Sequence, residues 1–188
     1  MGAASLYGNL ALLHKVRCRW QEALDLLDKA ISLAERHGAP EYLTGFYLNQ
    51  GIIHTKRGRY GAARGALERS LRLSRSLGDQ VREPKVHLAL GRLEFLEGRL
   101  AKAEESILEG KRMADGLRMR RESAIADEYL GDVQLARGDA ERALVNYGFG
   151  LEKSRNLGQV GDLEAELLRR TAEAQRCAGF APDAIATA

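Results

Sequence analysis

GIIHTKRGRYGAARGAL, residues 51–67, decides the fold, because its frame returns as GRLEFLEGRLAKAEESI at residues 91–107 and as GDVQLARGDAERALVNY at residues 131–147. Each copy opens on a glycine (Gly51, Gly91, Gly131), turns on a second (Gly58, Gly98, Gly138) and places an alanine after the turn (Ala63, Ala103, Ala143). The period is 40 residues. Run backwards, the grid lands on Ala11, Cys18-Arg19-Trp20 and Ala23. Run forwards with one extra residue, it lands on Ala172, Gly179-Phe180-Ala181 and Ala184. Self-similarity at a fixed period of this size marks stacked supersecondary units, none of which buries its apolar face alone.

On both sides of each turn the apolar residues follow the three-to-four spacing of an amphipathic helix, so each unit reads as a helical hairpin. In the second unit Tyr47, Gln50-Gly51 and His54 form the inward stripe of the first helix, and Tyr60, Ala63, Leu67 and Ser70-Leu71 that of the second. Small residues at 51 and 63 let the two axes approach closely. Gly38, Gly78 and Gly158 fall where the second helix of a unit should end and read as left-handed caps. The third unit has Arg118 there, preceded by Gly116, and an irregular exit is expected. Pro84 and Pro182 stand where helices should begin, a place that tolerates a missing N–H.

Composition agrees. Ala, Glu, Lys, Leu and Arg make up 102 of the 188 residues, whereas Val and Ile together number 12 and Pro three, which excludes an all-β fold. Cys18 and Cys177 lie at opposite ends of the chain, leaving no disulfide framework and no Cys-x-x-Cys pair. There is no 18-residue apolar run and no basic leader followed by an apolar stretch, so a cytoplasmic protein with no membrane role is expected.

These residues resemble the tetratricopeptide repeat family, with a small residue in the first helix, a Gly-aromatic turn and small residues in the second. Unit one carries Tyr7, Leu10-Ala11, His14, Trp20, Ala23, Leu27 and Ala30; units three and four keep Gly91, Ala103, Gly110 and Gly131, Ala143, Gly150 but put Leu100 and Ala140 in place of the turn aromatic. The family period is about 34 residues. The longer period here resembles the branch found in cell-polarity adaptors, kinesin light chains and bacterial regulators. The resemblance implies an all-α, right-handed superhelical solenoid, a single array with units at about 4–43, 44–83, 84–123, 124–163 and 164–188, the last truncated. Neither end reads as capped. We therefore expect a segment of a longer polypeptide, such as a bacterial signalling or transcription regulator, or self-association through those ends.

No set of residues calls for chemistry. His14 and His54 share a repeat position, but a metal site wants three or four convergent ligands and none completes this pair. Neither cysteine has a base beside it. The glycines at 58–65 and 148–150 lack the preceding strand and the Gly-Lys-Ser/Thr ending of a phosphate loop. No catalytic, cofactor or metal residue is assigned, and no enzyme activity is expected. Arg17, Arg19, Arg57, Arg59, Arg99 and Arg137 stack near the turns as an edge that could meet nucleic acid. With a net charge of only +3 and acidic interruptions such as Glu97 and Asp139, solvated turns are the better reading.

The family resemblance also implies a partner-binding groove lined by the first helix of each unit. Its positions map to Leu12, Lys15, Val16, Leu48, Ile52, Lys56, Leu88, Arg92, Phe95 and Leu96, and further along to Glu128, Asp132 and Leu135 with Ile125, Glu166, Arg169 and Glu173. Asn9 and Asn49 resemble the groove asparagines of the longer-repeat adaptors. The face is expected to be apolar and basic first, then acidic. Its occupant is a protein or peptide ligand, or another part of the same polypeptide.

Overall fold

The structure, a computed structural model, describes residues 2–157 and 161–179. Among the described residues every regular element is a helix: α1 (Gly2–Val16), α2 (Trp20–Arg36), α3 (Pro40–Lys56), α4 (Tyr60–Leu77), α5 (Glu83–Leu96), α6 (Leu100–Gly116), α7 (Arg120–Ala136), α8 (Ala140–Arg155) and α9 (Gly161–Cys177). None is long and apolar enough to cross a membrane. The first helices start up to four residues before the expected unit boundaries: α3 begins at Pro40, whose missing N–H is harmless in a first turn.

The turns obey the 40-residue grid. Gly58, Gly98, Gly138 and Gly179 all have positive φ, as do the caps Gly38 and Gly78. Cys18 and Arg118 occupy the same grid positions and take the same left-handed conformation, each with φ of 56°, although each carries a Cβ. The exit after α6 is therefore regular, contrary to expectation: Met119 N donates to Ala114 O at 2.8 Å, as Ala39 N donates to Ala34 O at 2.9 Å. This closing bond satisfies a carbonyl that the last turn would leave orphaned. Gly158, Pro182 and the second helix of the fifth unit lie outside the described residues.

The chain divides into two compact units, residues 1–93 and 94–188. In the first, α1 packs on α2, α2 on α3 and α3 on α4. One cluster joins Ala11, Ala23, Leu27, Ala30, Phe46 and Ile53; another joins Leu48, Ala63 and Leu67 to Val86, Leu90 and Leu93 of α5. Gly51 is needed here, since a Cβ on it would lie 2.5 Å from Leu67 Cδ2. In the second unit α7 packs on α6 and α8, and α8 on α9, around Ala124, Ala143, Tyr147, Leu163 and Leu167.

An interior helix of such a stack is covered on several sides, and the sequence shows it: Phe46 and Ile53 of α3, Val86 and Leu93 of α5, and Ala126 and Val133 of α7 hold matching grid positions and are all buried. The matching residues of α1, Leu6 and Leu13, are 67% and 46% exposed. The helix is as apolar as the interior ones, but among the described residues nothing covers this side of it.

Candidate partner-binding face

In residues 1–93 the expected face divides into open and packed positions. Leu12 and Val16 project from the last turns of α1, 38% and 78% exposed, and Asn9 is exposed beside them. Between them Lys15 reaches across to α3, where its Nζ donates to Asn49 Oδ1 at 2.6 Å. Asn49 in turn donates from Nδ2 to Gly45 O at 2.9 Å. The amide thus fixes the lysine rather than facing an empty groove. Ile52 is half-buried against the cluster around Leu48 and Leu90. Leu48 and Leu88 are themselves buried in the core, and Lys56 lies over the Trp20 ring with Nζ 5.6 Å from its centroid. Arg92 is half-buried. The open part of the face is therefore Asn9, Leu12 and Val16, together with the exposed Lys56 over Trp20, and is flanked by the tethered Lys15.

Residues 94–188 hold the remaining candidates. Leu96 is exposed and Phe95 half-buried. The acidic stretch is not open: Glu128 and Asp132 are buried. Asp132 Oδ1 accepts from Tyr147 Oη at 2.9 Å and pairs with Arg170 at 3.0 Å. Burial, together with the Asp132 charge, pushes the Tyr147 phenol well above its ordinary range, so it stays a donor. Arg170 also holds Glu166 at 2.9 Å, and Arg169 pairs with Glu166 at 2.6 Å and Glu173 at 3.5 Å. Hydrogen bonding from Arg169 draws the Glu166 carboxyl down to about 2. The expected acidic surface is thus largely neutralised by arginines of α9, which its spacing on α7 could not reveal. Leu135 is half-buried against the Tyr147 cluster.

The other candidates are quickly placed. His14 and His54 are half-buried, each with an unpartnered buried Nδ1, and no metal-ligating cluster occurs among the described residues. Burial and the charges of Arg59 and Arg57 lower the His54 pKa below 6.5. Both cysteines are exposed. The arginine edge is partly masked, since Arg99 pairs with Glu97, Arg137 with Glu104 at 2.7 Å, and Arg57 donates to Gln21 at 2.8 Å. Charge is unevenly shared: residues 1–93 hold 15 Lys and Arg against 8 Asp and Glu, residues 94–188 hold 14 against 18.

The sequence reading passed over Lys111, Ser123, Asp127 and Lys153, a polar cluster on α6, α7 and α8. Aligning the helices on the 40-residue grid would have found it, because each replaces an apolar or aromatic residue of other units.

No family model matches the chain, and no curated protein matches it. Among solved structures, the crystal structure of BtubC (BKLC) from P. vanneervenii is similar, with a TM-score of 0.73 and 22% identity over 91% of this chain and 71% of that one. At that identity the likeness speaks to the fold, an all-α helical repeat of the solenoid type.

Proposed function

We propose that the chain is a tetratricopeptide-type protein-interaction module that binds an acidic, amphipathic peptide or helix along α1 and α3. The observation that carries this reading is the exposed apolar pair Leu12 and Val16 beside Lys15, in a unit where basic residues outnumber acidic ones nearly two to one. Leucines spaced along one helical face of a ligand would cover that pair, and flanking carboxylates would meet the surplus positive charge. The 40-residue period fits a sensory or scaffolding segment of a larger bacterial regulator, which remains part of the same proposal.

The test uses a labelled synthetic helix with leucines at i, i+4 and i+7 and glutamates on its flanks, titrated by fluorescence anisotropy. The comparison is between the intact chain and Leu12→Glu/Val16→Glu, whose exposed sites accept charge without loss of far-UV circular dichroism. Ile52→Glu is the poorer probe because Ile52 packs on the core. A saturable rise that weakens about tenfold or more in the double variant supports the reading, since like charge across a contact costs more than a lost apolar contact. Equal binding by both proteins, or none, removes it.

A further inference from the structure

On the repeat grid, five substitutions converge on one spot between α6, α7 and α8. Lys111 stands where Ile31, Leu71 and Leu151 stand in other units; Asp127 replaces Tyr7, Tyr47 and His87; Lys153 replaces Leu33, Leu73 and Met113; Ser123 stands where the second unit has Leu43 and the third Glu83; Arg118 replaces Gly38 and Gly78. Lys111, Asp127 and Lys153 each replace an apolar or aromatic side chain found in at least two other units, and Arg118 forces a Cβ into left-handed backbone. Each change costs stability on its own: buried charge must be desolvated, and a non-glycine αL residue is strained. Their coincidence at one place is the mark of a site rather than of drift.

Beside this cluster lies a cleft of about 570 Å³, lined by Asp115, Arg118, Met119, Arg120, Ser123 and Lys153 among others; Lys153 and Ser123 belong to both, while Asp127 and Lys111 lie behind the cleft wall. Asp127, fully buried, accepts from Lys111 Nζ and Lys153 Nζ, both at 2.5 Å. Lys153 also donates to Ser123 Oγ at 2.7 Å, and Ser123 donates to Asp115 at 2.5 Å. Lys153 therefore keeps one of its three donors for a ligand. The guanidiniums of Arg118 and Arg120, exposed at the rim, have no hydrogen-bond or ion-pair partner among the described residues. Among the charged residues that line the cleft, Lys153, Arg118 and Arg120 outnumber Asp115 by two.

We propose that this cleft binds a small molecule carrying a phosphate monoester, gripped by Arg118 and Arg120 and by the remaining donor of Lys153. A dianion matches the excess charge, and its three terminal oxygens suit the planar forks of two arginines. The volume exceeds what a phosphate needs and lies in the range of small-molecule pockets, with the half-buried Met119 on its wall to meet an organic body. The site is independent of the peptide face on α1 and α3.

The test is isothermal titration of the whole chain with phenyl phosphate, an ester that supplies both the dianion and an apolar body. The variant is Arg118→Gly/Arg120→Gln, in which glycine restores the residue that siblings use at 118. Saturable binding should weaken about tenfold or more in the variant, while its thermal midpoint stays equal or rises, because the left-handed strain is gone. The Leu12→Glu/Val16→Glu protein should bind phenyl phosphate like the intact chain. Absence of saturable binding up to millimolar ester, or equal affinity in the arginine variant, overturns the proposal.

Discussion

The sharpest test of the packing is a single added methyl group. Gly131 lies inside α7, where replacement by alanine would by itself favour the helix by about 1 kcal/mol. A Cβ there would fall 2.3 Å from Cε1 and 2.5 Å from Cδ1 of Tyr147. The ring cannot easily yield: Tyr147 is fully buried, and its hydroxyl is tied to Asp132 at 2.9 Å. Overpacking of this kind costs about 1–3 kcal/mol, and a displaced hydroxyl would also loosen a bond to a charged group worth about 1.5–3 kcal/mol. Against the propensity gain, Gly131→Ala should destabilise by about 2 kcal/mol.

Gly148→Ala is the control. Gly148 lies inside α8, is exposed, and has nothing within 4 Å of its would-be Cβ. The same substitution there should stabilise by about 0.5–1 kcal/mol. Urea titrations followed by far-UV circular dichroism separate the two by opposite shifts in midpoint at unchanged slope. If Gly131→Ala stabilises as much as Gly148→Ala, the close contact of α7 with α8 is not what holds this hairpin.

Other consequences follow from the same packing. Asp127→Asn leaves the half-buried Lys111 and Lys153 without their counter-charge and should cost up to about 3 kcal/mol in urea titration, the low end for a broken buried pair because both ammoniums reach water, whereas Lys111→Leu/Asp127→Tyr/Lys153→Leu, the side chains of the second hairpin, should be neutral or stabilising; no measurable effect of Asp127→Asn would show that the lysines are already well hydrated. Cys18→Gly should raise the thermal midpoint, because the left-handed turn penalises a Cβ by about 1–2 kcal/mol, less the extra freedom glycine gives the unfolded chain. His54, whose pKa is lowered in the folded state, is protonated more readily when unfolded, with only Asp28 opposing the shift. Stability should be full above pH 6.5 and fall as the pH drops below that value. His54→Gln should flatten that limb when midpoints are compared on both sides of it.

The hairpins and their turns were legible because they depend on local rules. A glycine or its stand-in must take the left-handed cap, and Cys18 and Arg118 show that the grid imposes that conformation even on residues that resist it. Which side chains stay open was less legible. Leu12 and Leu48 were assigned to one groove, yet Leu12 is open while Leu48 packs with Val86 and Leu90 of α5. Residue type and helical phase are nearly the same for both; the neighbouring helix decides. Asp132 makes the same point for charge. Its place on α7 reads as a surface carboxylate, and only the approach of Arg170 from α9 and Tyr147 from α8 turns it into a buried acceptor.

A repeat protein carries its own controls, and this changes what a departure means. In an ordinary fold a buried aspartate between two lysines could be an accident of that core, since nothing shows what the position would otherwise hold. Here the siblings of Asp127 in the first three units are Tyr7, Tyr47 and His87, and the siblings of its two lysines are all apolar. Ile31, Tyr47 and Leu73, at the equivalent positions of the first two units, show that the fold accepts an apolar solution there. Retaining the ionic one, with its desolvation cost, in the hairpin that also has Arg118 at a glycine position requires a benefit that stability does not supply. Two unpaired guanidiniums at the mouth of the adjacent cleft are where that benefit would be realised. If the apolar triple variant proves more stable and the arginine variant loses the ester, the same few residues will have been shown to trade stability for binding.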